Sequence, residues 1–291
     1  MIWQDYRKLY LNALVKYSPK FKRELQRQVD TYCNTQDFDA ISDKGLKKTI
    51  KQLHTSLGTK MALIAEKSVK SSVKGFKWHL EQKSTKTDLF SYVILQYLET
   101  KGLSELASDI TDTTKEQIRR FLIQGQEQNL TMNEIIALLR TSGITDYRAE
   151  LIARTETGKA ANVGSMVGAM STGLVTVKEW ISAQDNRTRR MPRDSADHLH
   201  MDGVKLPIDA KFEVRGKTFV DYMLHPADSM AHAANVCNCR CTLGYEAQRG
   251  ADGKLLMLEN NPPKGDAGLI WALLGNTLGM ELGKLIAEAL Q

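Results

Sequence analysis

The sequence predicts an α+β protein: a mostly helical N-terminal region, a small helix-plus-antiparallel-sheet module, and a C-terminal amphipathic helix. Three observations lead there. Apolar residues recur at three- to five-residue steps through Met170, alternation at two-residue steps begins at Leu174, and a glycine-striped apolar segment closes the chain. With 291 residues, 42% of them hydrophobic and 25% charged, the chain can bury a substantial core.

The elements follow in order. Residues 2 to about 34 have helical spacing, and Ser18-Pro19 predicts a restart there, because Ser suits an N-cap and Pro the first helical position. A second helix should run from Asp43 to about Lys74, burying Leu46, Ile50, Leu53, Leu57, Met61, Ile64 and Val69 and exposing a lysine-rich face. A third should cover Leu89 to Thr100. Capping boxes at Thr113–Glu116 and Thr131–Glu134 predict helices over roughly 115–125 and 132–142. A further helix should extend from about Thr145 to Met170 and stop at Ser171-Thr172-Gly173. Val175 to Ile181 then alternates as a strand, Lys211–Val214 and Thr218–Val220 flank a turn at Arg215-Gly216-Lys217, and Arg240–Tyr245 supplies a third strand. Gly250, Asp252, Gly253, Pro262, Pro263 and Gly265 punctuate a linker. The expected organisation is a basic helical arm (1–86), a helical region (87–144), an α+β module (145–246), a linker (247–265) and a terminal helix (266–291). In that helix Gly275, Gly279 and Gly283 make a stripe suited to close approach by a partner helix.

Charge and cysteines narrow the functional classes. Residues 1–86 carry 18 Lys and Arg against 8 Asp and Glu, a net +10, and the remainder carries 22 against 26, a net −4. Such asymmetry suits nonspecific contact with DNA or an acidic protein surface. An N-terminus charged within its first turns does not read as a secretory signal, and no apolar run is long enough to insert stably in a membrane. Cys33 stands apart, whereas Cys237, Cys239 and Cys241 crowd too closely to bridge one another, which suits a reducing cytoplasm. On a regular strand those three would share a face, and His198, His200, His225 or His232 could complete a zinc site with them. Their spacing is not the usual C-x-x-C, so the reading favours buried cysteines with no cofactor and keeps zinc as the alternative. His225-Pro226 reads as a turn, with ligation by His225 the lesser possibility. No nucleophile elbow, phosphate-binding loop, dinucleotide fingerprint or zinc-protease helix is present. Arg154, Glu156, Asp185 and His198 nonetheless offer acid, base and anion-binding groups, so they are the weak catalytic candidates. The competing expectation joins Arg154, Glu156, Asp185 and Arg187 in an ion-pair network between helix and sheet.

One stretch carries more specific wording. Arg148-Ala149-Glu150-Leu151-Ile152-Ala153-Arg154-Thr155-Glu156, followed by Asn162 and Gly164, leads into Lys178-Glu179-Trp180, then Asp185-Asn186-Arg187-Thr188-Arg189, His198 with Asp202-Gly203, Pro226, and Asn238-Cys239-Arg240-Cys241. These motifs, in this order over about 145–246, resemble the phage Mu F-like (minor head, or head morphogenesis) protein family, with weaker likeness back to about 110. The sequence departs from the family at Asp197, where a small residue is usual, and at His200, a second histidine; spacing to Asp202-Gly203 favours His198 as the motif residue.

The resemblance implies a minor capsid protein of a tailed bacteriophage, a virion component that docks near the portal during procapsid assembly in the host cytoplasm. It would lie in the head interior or at the portal vertex, partnered by portal, capsid or scaffold proteins, and would serve DNA packaging, delivery or ejection. The alternative is a metal-dependent or acid/base enzyme, nuclease- or transferase-like, packaged in the virion.

Overall fold

The computed structural model describes residues 2–73, 83–258 and 263–278. Helices α1 (Ile2–Thr35), α2 (Lys44–Ser72), α3 (Lys83–Thr100), α4 (Leu103–Glu127), α5 (Met132–Thr141) and α6 (Ile144–Met170) precede strands β1 (Thr176–Ile181), β2 (Lys205–Pro207), β3 (Phe212–Arg215) and β4 (Val220–Met223). A one-turn helix α7 (Ala233–Val236), strand β5 (Thr242–Ala247) and helix α8 (Gly265–Leu278) complete the described chain. The protein is α+β, as its sequence predicts.

α1 forms because Tyr6, Tyr10, Ala13, Tyr17, Phe21, Leu25 and Val29 recur on one face, and all are buried. The restart expected at Ser18-Pro19 does not occur, and α1 is continuous with Pro19 inside it. Pro19 lies on the exposed side. Val15, whose carbonyl loses its intrahelical partner, is 79% exposed, so solvent can satisfy that group. The box at Thr113–Glu116 likewise starts no helix. Thr113 and Thr114 turn their hydroxyls back to the carbonyls of Asp109 and Ile110, and α4 runs through them from Leu103. Thr131 does cap α5: its amide donates to Glu134 Oε2 at 2.7 Å and its hydroxyl accepts from the Glu134 amide at 3.4 Å.

α6 is the axis of the molecule. Its flanks are covered by α1, α2, α3 and α8 on the helical side and by β5 on the other. The closest approach is to α2, where Gly164 faces Gly58 and Gly168 faces Ala62. A Cβ at Gly164 would fall 2.2 Å from the Gly58 carbonyl oxygen, and one at Gly168 would fall 2.0 Å from that of Ala62. The backbones therefore touch, and no larger residue fits at those positions. Two apolar clusters result. Ala62, Ala65 and Val69 join Met166, Met170 and the sheet residues Trp180, Phe212 and Leu243; Leu46, Ile50, Leu53 and Leu57 join Tyr6, Phe21, Ala153 and Ala161. α1 and α2 thus supply core to the motif-bearing helix, while Lys8, Lys16, Lys48, Lys60 and Lys67 face outward.

The sheet order is β2-β1-β5, all antiparallel, with Trp180 opposite Leu243 and Lys178 opposite Tyr245. β3 and β4 form a separate hairpin, Phe212 opposite Met223. Part of the expected linker is ordered: Val175 and Leu258 donate to the carbonyls of Leu256 and Gly173, and Met257 and Leu258 are buried. Apolar side chains inside a polar run anchored it. α8 begins at Gly265 and buries Ile270 and Leu274 against α3 and α6, so the described part of the terminal helix docks within the chain. Gly275 lies in α8, while Gly279 and Gly283 fall outside the described residues. Among the described residues no helix is long and apolar enough to cross a membrane.

Candidate functional site: a histidine–cysteine centre beneath an arginine-rich cleft

The motif residues of α6 are fasteners. Arg148 donates to Thr114 Oγ1 at 2.8 Å and to the Ile110 carbonyl at 3.0 Å, tying α6 to α4. Thr155 Oγ1 accepts from the Asn238 amide at 3.2 Å. Asn162, fully buried, directs its amide nitrogen at the carbonyls of Gly158, Pro226 and Cys241 at 3.0 to 3.1 Å, so one side chain holds helix, turn and strand entrance together. Gly158 leaves room for this strand entrance: a Cβ there would lie 3.0 Å from the Cys239 carbonyl oxygen.

The loop from β1 to β2 is fixed by Asp185, which accepts both guanidinium nitrogens of Arg240, one at 2.6 Å, and the Arg187 amide at 3.0 Å. The Arg240 hydrogen bond leads in holding the Asp185 carboxyl far below the usual range. Asp202 accepts the Ser182 amide at 2.7 Å, and Gly203 turns at φ +78° to bring its amide to the Trp180 carbonyl.

Between these fasteners lies a buried polar cluster. His198 is buried, packed edge-on against Trp180 with centroids 5.5 Å apart, and its Nδ1 stands 3.6 Å from both Cys239 Sγ and Cys241 Sγ. Behind it, His198 Nε2 meets Asn235 Oδ1 at 2.9 Å; Asn235 Nδ2 donates to Asp221 Oδ2 at 2.7 Å; Asp221 Oδ1 meets His232 Nδ1 at 2.6 Å. Burial pushes the Asp221 carboxyl up, but the hydrogen bonds from His232 and Asn235 prevail and hold it below its usual value. Cys239 is drawn towards thiolate, first by the hydrogen bond from Cys241 and then, against burial, by His198 and Arg189; Cys241 is pushed up correspondingly.

Cys237 does not join the centre. Asn238 adopts φ +58°, which breaks the strand alternation, and the Cys237 carbonyl instead accepts from Arg189. The expected common face of three cysteines therefore reduces to two. His200 is exposed and its amide donates to Asp197 Oδ1 at 2.9 Å; His225 is buried with Nδ1 2.9 Å from the Pro226 carbonyl, within the turn.

His198 and Cys241 also line a cleft of about 490 Å³, whose walls include Arg7, Arg154, Arg187, Arg189 and Arg240 with Asp185, Asp194, Tyr6 and Tyr10. Three of the four catalytic candidates, Arg154, Asp185 and His198, thus share one cleft. Glu156 does not. It is buried on another face of α6, 3.0 Å from His54 Nε2 and 2.8 Å from Lys159 Nζ. Burial pushes its carboxyl up, yet Lys159 and His54 together hold it down at about 2. The expected four-residue ion-pair network also fails to form: Arg154 pairs with Glu150 along the helix, Asp185 with Arg240, and Glu156 with α2. Sequence reasoning missed His54, Asn235 and Asp221 altogether, because no local spacing marks a contact between residues 102 or 37 positions apart.

This arrangement defines a class: an α+β module in which a long, small-residue helix is stapled by polar contacts to a short antiparallel sheet. Residues 115–244, from the middle of α4 into β5, match the model of the family described as Phage Mu protein F like protein. That match points to a bacteriophage head protein of the virion. No curated protein and no solved structure matches the chain.

Proposed function

We propose that this chain is a minor head protein that docks near the portal during procapsid assembly and serves packaging or delivery of DNA. The family match over 115–244 carries this reading. What the fold adds is a division of labour. The module supplies a rigid body, and α1 and α2 present Arg7, Lys8, Lys16, Lys22, Lys48, Lys60 and Lys67 to solvent on a scaffold locked to α6. Rigidly held basic side chains suit DNA or the acidic surfaces of portal, capsid or scaffold. A structural role fits better than catalysis, since Glu156 is engaged with α2 away from the cleft that holds Arg154, Asp185 and His198.

Because α1 and α2 are core elements, deletion of residues 1–86 would unfold the chain, and charge reversal is the informative perturbation. The chain carrying Lys8→Glu, Lys16→Glu, Lys48→Glu, Lys60→Glu and Lys67→Glu should keep its helical circular dichroism and lose co-purification with the portal of its own phage. Retained co-purification with both portal and procapsid would refute the basic-face reading. Direct binding to DNA should weaken by about 0.9 in log affinity per phosphate contact for each tenfold rise in salt; a flat salt dependence would exclude phosphate contact.

A further inference from the structure

We propose that His198 Nδ1, Cys239 Sγ and Cys241 Sγ are ligands of a zinc ion, with the fourth position open to the arginine-rich cleft. Among the described residues these three form the one group of three or more ligating side chains whose donor atoms all lie within 4.8 Å of one another. The inference stands on the site's geometry and is independent of portal docking.

The tautomer comes first. Asp221 offers only acceptors when ionised, so the Asn235 group 2.7 Å from it must be the NH₂. The Asn235 oxygen therefore faces His198, and the Nε2 at 2.9 Å from it must carry the proton. A neutral His198 then presents a bare lone pair on Nδ1, aimed at two sulfurs. An outer-shell carboxylate acting through an amide to fix the imidazole in this way is the device that orients metal-bound histidines.

The distances come second. Zn–S of about 2.3 Å and Zn–N of about 2.0 Å at a tetrahedral angle place sulfur and nitrogen about 3.5 Å apart. Both sulfurs lie 3.6 Å from Nδ1. One lone pair can accept one S–H, so a hydrogen bond to Nδ1 accounts for one of the two equal approaches, and the other rests on the contact between the two sulfurs. A cation accounts for both. Charge balance agrees: two thiolates and a neutral imidazole cancel the dication, and a neutral centre is the kind that can be buried as completely as these three residues are. The binding step releases two thiol protons to solvent and involves no redox change.

The sequence explains why two cysteines and not three take part. Arg240, between them, is turned the other way to Asp185, which fixes the register of Cys239 and Cys241, and the left-handed Asn238 removes Cys237. His198 and Cys241 reach the cleft wall, so water or another small donor can complete the tetrahedron from that side.

The test is metal content of the full-length protein, purified from zinc-supplemented cells without chelator, together with cobalt replacement. One zinc per chain is expected, kept in Cys33→Ser and Cys237→Ser and lost in Cys239→Ser and Cys241→Ser. If the last two fail to fold, the cobalt-loaded wild type decides: thiolate charge-transfer absorption with the intense visible bands of tetrahedral cobalt supports the site. Zinc-free protein that stays zinc-free after incubation with zinc overturns it, as does zinc retained when Cys239 and Cys241 are both replaced, or a cobalt spectrum without thiolate absorption.

Discussion

Gly164→Ala puts the central packing contact to the test, because two readings of the N-terminal helices give opposite signs. In an exposed or loosely covered helix, Gly→Ala stabilises by about 1 kcal/mol through backbone entropy. Here the new methyl would sit 2.2 Å from the Gly58 carbonyl oxygen and 2.5 Å from the Gly58 Cα, both backbone atoms that cannot swing aside. α2 must retreat by about 1 Å, loosening both apolar clusters it shares with α6, and overpacking of this kind costs about 1–3 kcal/mol or more. The expected net is a loss of at least about 2 kcal/mol, read from urea or guanidinium denaturation followed by circular dichroism. Gly45→Ala is the control, since the added methyl meets only the flexible carboxylate end of Glu24. A Gly164→Ala protein more stable than wild type would show that α2 does not rest on α6 and that the first two helices move as a free arm.

Two titrations extend the account. Lys178 is fully buried, donates to the Leu224 carbonyl at 2.7 Å, and burial pulls its ammonium down to about 7 against weaker support from Asp209 and Asp228. Below pH 7 both folded and unfolded chains are charged and the burial cost, about 5 kcal/mol, is fully felt; between 7 and about 10.5 the unfolded chain binds the extra proton, so stability should rise with pH. Lys178→Met should flatten that rise and be the more stable protein at pH 6 by about 2–3 kcal/mol, after loss of one hydrogen bond; a Met variant less stable at pH 6 would contradict this. For Glu156 the sign is reversed. Its carboxyl titrates at about 2 when folded and near 4.5 when unfolded, so its contribution of about 3 kcal/mol is complete above about pH 4.5 and lost as the pH falls towards 2. Glu156→Gln should be less stable by about that amount at pH 7 and converge with wild type in acid, and parallel denaturation curves from pH 7 to pH 3 would count against it.

Much of the fold was legible because the strongest signals were local. The apolar stripe of α2, the Thr131 capping box, the stop of α6 at Ser171-Thr172-Gly173 and the onset of alternation after Leu174 all translate directly into elements. Three failures have local causes too. Pro19 was tolerated because its side of α1 is wet, Thr113 preferred to bond back within a helix that had already begun at Leu103, and β2 is only three residues long, too short for any period to register. The site was half legible. Cys239, Cys241 and His198 stood out by residue type, but the count of participating cysteines depended on one left-handed residue, Asn238. The partners that give the site its chemistry, Asn235 and Asp221, were hidden because they act through tertiary proximity. Gly58, too, has no sequence signature until Gly164 is placed against it.

The central claim, that this is a minor head protein, is tested most directly by quantitative mass spectrometry of purified heads and tails from the phage that encodes it. The chain should be recovered in procapsids or heads, in few copies relative to the major capsid protein, and should be lost from heads assembled without the portal. Particles that are fully assembled, infectious and free of the chain would contradict the account.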